Sequence, residues 1–233
     1  DYTTNATASH TAAINVTQSG NGNVYGARIY RHDSSQKGTA WFENAMTEDT
    51  GVASGTINIV NQGNGNVFGV ALEAKEGETI SGQICNAASF ADAWDANGQA
   101  TAQATAVLNI QNSGSGDVYG LFNPSLNSTD AGITNALAGA NSYAHHDFSV
   151  SSVAMGTIHI VNTGNGNVYG MKENKYGTLS NAKAETNSEG YVSSPITVAA
   201  TGIISLVNSQ TGNMYGMYAV DSTIENKTDS QTT

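Results

Sequence analysis

The chain has 233 residues, 39% of them hydrophobic and only 12% charged, with 19 acidic against 8 basic side chains and a net charge of −11. Two arginines, Arg28 and Arg31, and six scattered lysines make no basic stripe, which argues against nucleic acid and against an anionic membrane surface as partners. A lone cysteine, Cys85, has no internal disulfide partner, and no apolar stretch approaches the ~20 residues that cross a bilayer as a helix, so this segment is not expected to insert in a membrane.

Taken in chain order, one sentence recurs five times. It reads AAINVTQSGNGNVYGA over 12–27, GTINIVNQGNGNVFGV over 55–70, AVLNIQNSGSGDVYGL over 106–121, GTIHIVNTGNGNVYGM over 156–171 and GIISLVNSQTGNMYGM over 202–217. The aromatic-Gly pairs end at Gly26, Gly69, Gly120, Gly170 and Gly216, at steps of 43, 51, 50 and 46 residues. Self-similarity at such a period marks a solenoid, propeller or array. Ile, Val and Thr at fixed places also separate the chain from highly charged disordered sequences.

Within each copy Ile57 and Ile59 alternate with Thr56 and Asn58, and Ile158 and Ile160 do the same, which is the period of a half-buried strand. The Gly-Asn-Gly that follows is a turn, expected to need positive φ at its glycines, and NVYG restarts an extended segment. A hairpin would pair the two strands with each other; a β-arc would pair each with its counterpart in the next repeat. Propeller blades need four strands apiece, whereas each repeat here shows two strong strands and a weaker Ala-rich one after an Asn-Ala pair (Asn5-Ala6, Asn44-Ala45, Asn86-Ala87, Asn135-Ala136, Asn181-Ala182). The expected fold is therefore all-β: a parallel β-helix over 1–233, one β-solenoid segment of five imperfect repeats. STIENKTD near Asn226 reads as the start of a sixth unit, and the whole as a piece of a longer array.

The structural positions of the repeat line up in columns. Gly20, Gly63, Gly114, Gly164 and Gly212 mark the turn. Asn61, Asn112, Asn162 and Asn208, with Gln18, form one amide column; Asn23, Asn66, Asn167 and Asn213 form another, which Asp117 interrupts. Stacked amides donate to and accept from the rungs above and below. Tyr25, Phe68, Tyr119, Tyr169 and Tyr215 form an aromatic column, and Phe68 argues that its role is packing.

GTINIVNQGNGNVFG and GTIHIVNTGNGNVYGM, recurring between Ala/Asn-rich inserts, resemble the passenger regions of bacterial autotransporter adhesins. That resemblance implies a right-handed parallel β-helix displayed on the bacterial cell surface for adhesion and virulence, with a separate membrane barrel. QSGNGN at 18–23 is similar to the Gln-x-Gly-x-x-Asn turn of curli-type amyloid subunits, which implies a self-assembling fibre; those repeats are about half as long.

Chemistry has little support. His145-His146-Asp147 is the densest set of metal-ligand types, but neighbours on a strand point to opposite faces. His10 and His32 are isolated, and His159 stands where Asn58 and Asn109 stand. The GNGN turns lack the Gly-Lys-Ser/Thr of a phosphate loop, and they carry Asn where calcium-binding solenoids need Asp. Asp92 with Asp95, and Glu73 with Glu76 and Glu78, are the nearest to a carboxylate pair for polysaccharide cleavage, yet they sit in variable segments. Sequons at Asn5, Asn15, Asn127 and Asn226 are expected by chance in so Asn-rich a chain. We therefore expect no catalytic residues, metal or cofactor, and an extracellular structural or adhesive rod that displays variable inserts. Its partners would be a glycan, a cell-surface receptor or another copy of itself. Folding should depend on Gly166 and Ile158, and hardly on Lys37, Asn127 or Glu189.

Overall fold

A computed structural model describes residues 8–31, 40–47, 51–74, 80–93, 99–124, 128–143, 149–173, 178–188, 195–219 and 223–232. These contain fifteen strands and form three five-stranded sheets, each parallel throughout. Sheet A stacks β1 (Ala8–Gln18), β4 (Gly51–Asn61), β7 (Gln99–Asn112), β10 (Ser149–Asn162) and β13 (Ile196–Asn208). Sheet B stacks β2 (Val24–Arg31), β5 (Val67–Ala74), β8 (Val118–Asn123), β11 (Val168–Glu173) and β14 (Met214–Ala219). Sheet C stacks β3 (Ala40–Thr47), β6 (Ile80–Ala93), β9 (Ser128–Ser142), β12 (Thr178–Ser188) and β15 (Thr223–Thr232). Consecutive strands never pair; each pairs one repeat away, so the turn is a β-arc and the fold is a β-solenoid of five three-stranded coils.

The register is that of the sequence repeat. Ile14, Ile57 and Leu108 lie side by side, as do Ile158 and Ile204, and Asn61, Asn112, Asn162 and Asn208 share one line. The third strand is longer than the Ala-rich signal suggested. In β6 it includes residues on both sides of Asn86-Ala87: Ile84 precedes the pair, and Ala91 and Ala93 follow it. Much of the spread in repeat length therefore goes into strands, since β3 has 8 residues and β9 has 15. Arg28–Arg31 and Ala40–Glu43 fall within β2 and β3, with 32–39 between them. β15 pairs with β12 and supplies the third strand of the fifth coil rather than opening a sixth. Asn5, His32, Lys37, Glu76, Glu78, Asp95, Asn127, His145, His146, Asp147 and Glu189 lie outside the described residues.

Two cores run along the stack. Where all three sheets meet, Ile57, Ile59, Val67, Leu72, Ile84, Leu108 and their counterparts form a continuous aliphatic cluster. Beyond it sheets A and C converge, and the space admits little more than methyl groups. Ala53, Ala87, Ala91, Ala102, Ala104, Ala138 and Ala184 fill this taper, with hydroxyls that bond inside it. Ser152 Oγ donates to Ala138 O at 2.8 Å, and Ser89 Oγ to Gly51 O at 3.1 Å.

The turn glycines are needed for a different reason from the one the sequence suggested. None of those described, Gly166 included, has φ in the left-handed region. A Cβ on Gly63, Gly114 or Gly164 would instead collide with the carbonyl oxygen of Gly20, Gly63 or Gly114 in the preceding coil. Gly166 meets Gly116 O in the same way, and Gly212 meets Gly166 O. Gly212 thus belongs to the column of Gly166, with Gln210 standing where the other copies have Gly164 and its equivalents. The glycine after each aromatic faces the other way. A Cβ on Gly120 would strike Gly170 O and the Ile158 side chain of the following coil.

Candidate functional site

The predicted structural columns do three different jobs. The first holds the turn. Asn61 Nδ2 donates to Asn112 Oδ1 at 2.7 Å, Asn112 to Asn162 at 2.8 Å and Asn162 to Asn208 at 3.0 Å. Each amide also binds its own bend: Asn112 Nδ2 donates to Gly114 O at 3.0 Å while Gly114 N donates back to Asn112 Oδ1 at 3.3 Å. Gln18 reaches Gly20 O and Gly22 O instead. The turn N–H groups of Gly63, Gly114 and Gly164 are spent on these amides, so the turn offers no phosphate cradle.

The second column works mainly through its oxygens, which accept from the backbone of the next coil, and Asn167 Nδ2 also donates to Asp117 Oδ1 at 3.1 Å. Asn23 Oδ1 accepts from Asn66 N at 3.0 Å, Asn66 Oδ1 from Asp117 N at 2.9 Å, Asp117 Oδ1 from Asn167 N at 2.8 Å and Asn167 Oδ1 from Asn213 N at 3.0 Å. An acid serves such a chain as well as an amide, so Asp117 continues the column that it was expected to break. Its second oxygen accepts from Tyr119 Oη at 3.1 Å. Burial, with the Asp117 charge behind it, raises the Tyr119 phenol well above the ordinary tyrosine value, and Tyr169 shifts the same way. The hydroxyl therefore has a partner in the one copy where the acid supplies it.

The third column stacks face to face. Tyr25, Phe68, Tyr119, Tyr169 and Tyr215 lie 4.8–5.0 Å apart with ring planes within 10° of parallel. Their faces cover one another, which leaves only edges for a sugar or base. Beside them Lys172 Nζ lies 4.5 Å from the Tyr169 ring centre and 5.2 Å from that of Tyr119, and the Arg28 guanidinium 4.5 Å from Tyr25.

A fourth column was visible only as the Asn-Ala pairs. Asn44, Asn86, Asn135 and Asn181 run along the junction of the two cores, each donating to the next at 2.9–3.0 Å. Each also donates across to sheet A, Asn86 to Val107 O and Asn135 to Thr157 O. Gly55 and Gly156 lie opposite, where a Cβ would run into Asn86 O and Asn181 O. One further polar pair had no signal in the sequence: Glu173 is buried in β11 and accepts from Asn123 Nδ2 at 3.3 Å.

Of the candidate carboxylates only Asp92 and Glu73 lie among the described residues, and they are engaged separately. Asp92 is exposed and accepts from Asn141 Nδ2 at 2.9 Å, and Glu73 pairs with Arg28 at 2.7 Å. Among the described residues no three His, Cys, Asp or Glu side chains gather as for a metal ion. Cys85 is buried, and that burial pushes its thiol up to about 12.

What remains is the outward face of sheet A. Its central column runs Asn15, Asn58, Asn109, His159, Ser205, with the amides bonded in line at 2.8 and 2.9 Å. The flanking columns run Ala13, Thr56, Val107, Thr157, Ile203 and Thr17, Val60, Gln111, Val161, Val207; those beyond are Ser, Thr, Val, Gln, Met and Ala. No Asp, Glu, Lys or Arg occurs in any of them. The charged side chains Arg28, Glu43, Glu73, Asp92, Lys172, Lys183 and Glu185 all belong to sheets B and C. Two shallow depressions of about 300 and 220 Å³ lie on the sheet A face near the turn, lined among others by Asn58, Val60, Gln111, His159 and Thr163. Compared with protein families, with curated proteins and with solved structures, the chain finds no match.

Proposed function

We propose that the chain is a non-enzymatic structural and adhesive β-solenoid, displayed outside a bacterial cell, whose contact surface is the outward face of sheet A. The observation that carries this reading is the charge-free composition of that face in a chain of net charge −11. A flat, uncharged array of Thr, Asn, Gln and Val meets another surface with little desolvation of charge. Its rigidity also means that few side chains lose freedom on contact. The connections between described strands are short, only three residues at 48–50 and eight at 32–39, so the sheet rather than the inserts offers the larger area. The test is binding of the chain to immobilised uncharged glycans and to cell surfaces. Val107→Glu on sheet A should abolish adhesion, whereas replacing 32–39 by a Gly-Ser linker of equal length should leave it. Adhesion that follows the linker and ignores Val107 would sink the reading.

A second reading, a self-assembling fibre subunit, is favoured by the edge of the fifth coil. Met214 and Met217 stand in columns that are buried in coils one to four, yet they are 51% and 59% exposed. Such an edge templates pairing with further strands. Fibres with a cross-β spacing of about 4.7–4.8 Å that fail to grow from Met217→Asp would establish it.

A further inference from the structure

We infer that the outward face of sheet A docks on the same face of a second copy of the chain, forming a face-to-face dimer. The inference rests on the proposal that this face is the contact surface, and it names the occupant. Charge is the first argument. At −11 the chain repels its own copies, and contact through sheets B or C would desolvate charged side chains, the acids Glu43, Glu73, Asp92 and Glu185 together with the cations Arg28, Lys172 and Lys183. Sheet A is the face on which two copies meet with no formal charge on either side.

Relief is the second. Val60, Met155, Ile203 and Val207, half of the large apolar side chains that stand exposed among the described residues, are on this face. The Asn15, Asn58 and Asn109 amides between them are bonded in line, so these polar groups already have partners within the face. Apolar knobs over shallow depressions match a second copy of the same relief better than they match a sugar.

Area is the third. Five strands at ~4.8 Å spacing and about ten residues at ~3.3 Å per residue make a face of roughly 800 Å². Two such faces bury about 1,600 Å² in all, the size of a standard stable interface. A two-fold axis lying in the plane of contact makes the interface isologous, each residue meeting the same patch on its partner.

Sedimentation velocity across a concentration series, at low and high salt, tests the inference on the full chain. The expected result is a monomer–dimer equilibrium that salt leaves unchanged or tightens, because no ion pair crosses the contact and screening relieves the remaining repulsion. Val107→Glu and Thr157→Glu, each at an outward position of a central strand, should weaken the dimer at least tenfold while circular dichroism and the melting curve stay those of the parent. Lys183→Glu on sheet C should dimerise like the parent. A chain that stays monomeric, a dimer that salt dissociates, or association lost in Met217→Asp but kept in Val107→Glu would each overturn the inference. If Val107→Glu abolishes glycan adhesion by a chain that never dimerises, the second copy is wrong and the adhesive reading stands. If neither adhesion nor dimerisation responds, both fall.

Discussion

The two ends of the coil cross-section share the strands of sheets A and C and obey opposite rules. At the wide end three sheets enclose Ile57, Leu108, Val118, Ile133 and Ile158, and the spacing demands volume. At the narrow end sheets A and C face each other alone, and Ala91, Ala104, Ala138 and Ala154 demand its absence. Side-chain size therefore follows sheet separation rather than hydrophobicity: alanine is buried here as thoroughly as isoleucine. Asn44, Asn86, Asn135 and Asn181 mark where one regime gives way to the other, each holding sheet A to sheet C by a hydrogen bond.

That contrast is open to direct attack. Ile158→Asn, at the fully buried wide end, removes volume and buries an amide without a partner; it should cost about 3–5 kcal/mol in chemical denaturation. Asn135→Ala breaks the seam between the two cores and strands the Asn86 donor, for roughly 2–3 kcal/mol. Ala138→Leu adds volume at the narrow end and should lose about 1–3 kcal/mol, although leucine is the native residue at Leu108 in the wide core. If Ala138→Leu is neutral, sheet separation does not decide residue size.

Smaller effects separate steric from conformational demands at the turn. Gly164→Ala should cost about 1–2 kcal/mol because its Cβ meets a backbone oxygen that cannot move aside. Gly20→Ala, which finds only the flexible Gln18 amide at 3.7 Å, should stay within about 0.5 kcal/mol. Equal costs at both sites would restore a backbone-conformation account. The last effect is invisible at neutral pH. The buried Cys85 thiol keeps its proton in the folded chain up to about 12, while an unfolded thiol loses it near 9.0. The unfolded state therefore binds fewer protons between those values, and stability falls with rising pH across that window. Iodoacetamide at mildly alkaline pH should label Cys85 only in denaturant; rapid labelling of the native chain would contradict its burial.

Much of the architecture was legible because the repeat writes one strand pair and one turn five times. The Ile-x-Ile alternation and the Asn61, Asn112, Asn162 line read directly into sheet A and its amide ladder. Less legible was anything set by a neighbour from another part of the chain. The glycines of the bend signalled local flexibility, yet their constraint is a carbonyl oxygen some fifty residues back in sequence, as with Gly164 over Gly114. Asn-Ala announced itself five times without saying that its amide points into the seam, since that depends on how close sheets A and C approach. Asp117 looked like an interruption because a sequence shows residue types and not which of their atoms are used. The sheet A face was hardest to see. Its lack of charge is spread over strands far apart in the chain and becomes one surface only in the stack.

The opposed glycine columns carry a consequence for how such a chain can change length. The turn glycines fit the coil before them and the aromatic-corner glycines fit the coil after them, so every junction presents the same pair of steric conditions. Removal of one whole repeat would set Gly164 on Gly63, Ile158 on Ile57 and Asn162 on Asn61, contacts already proven elsewhere in the stack. Unequal recombination between repeats of the gene would then yield shorter or longer rods that fold without compensating substitutions, provided the exchange spans an entire coil.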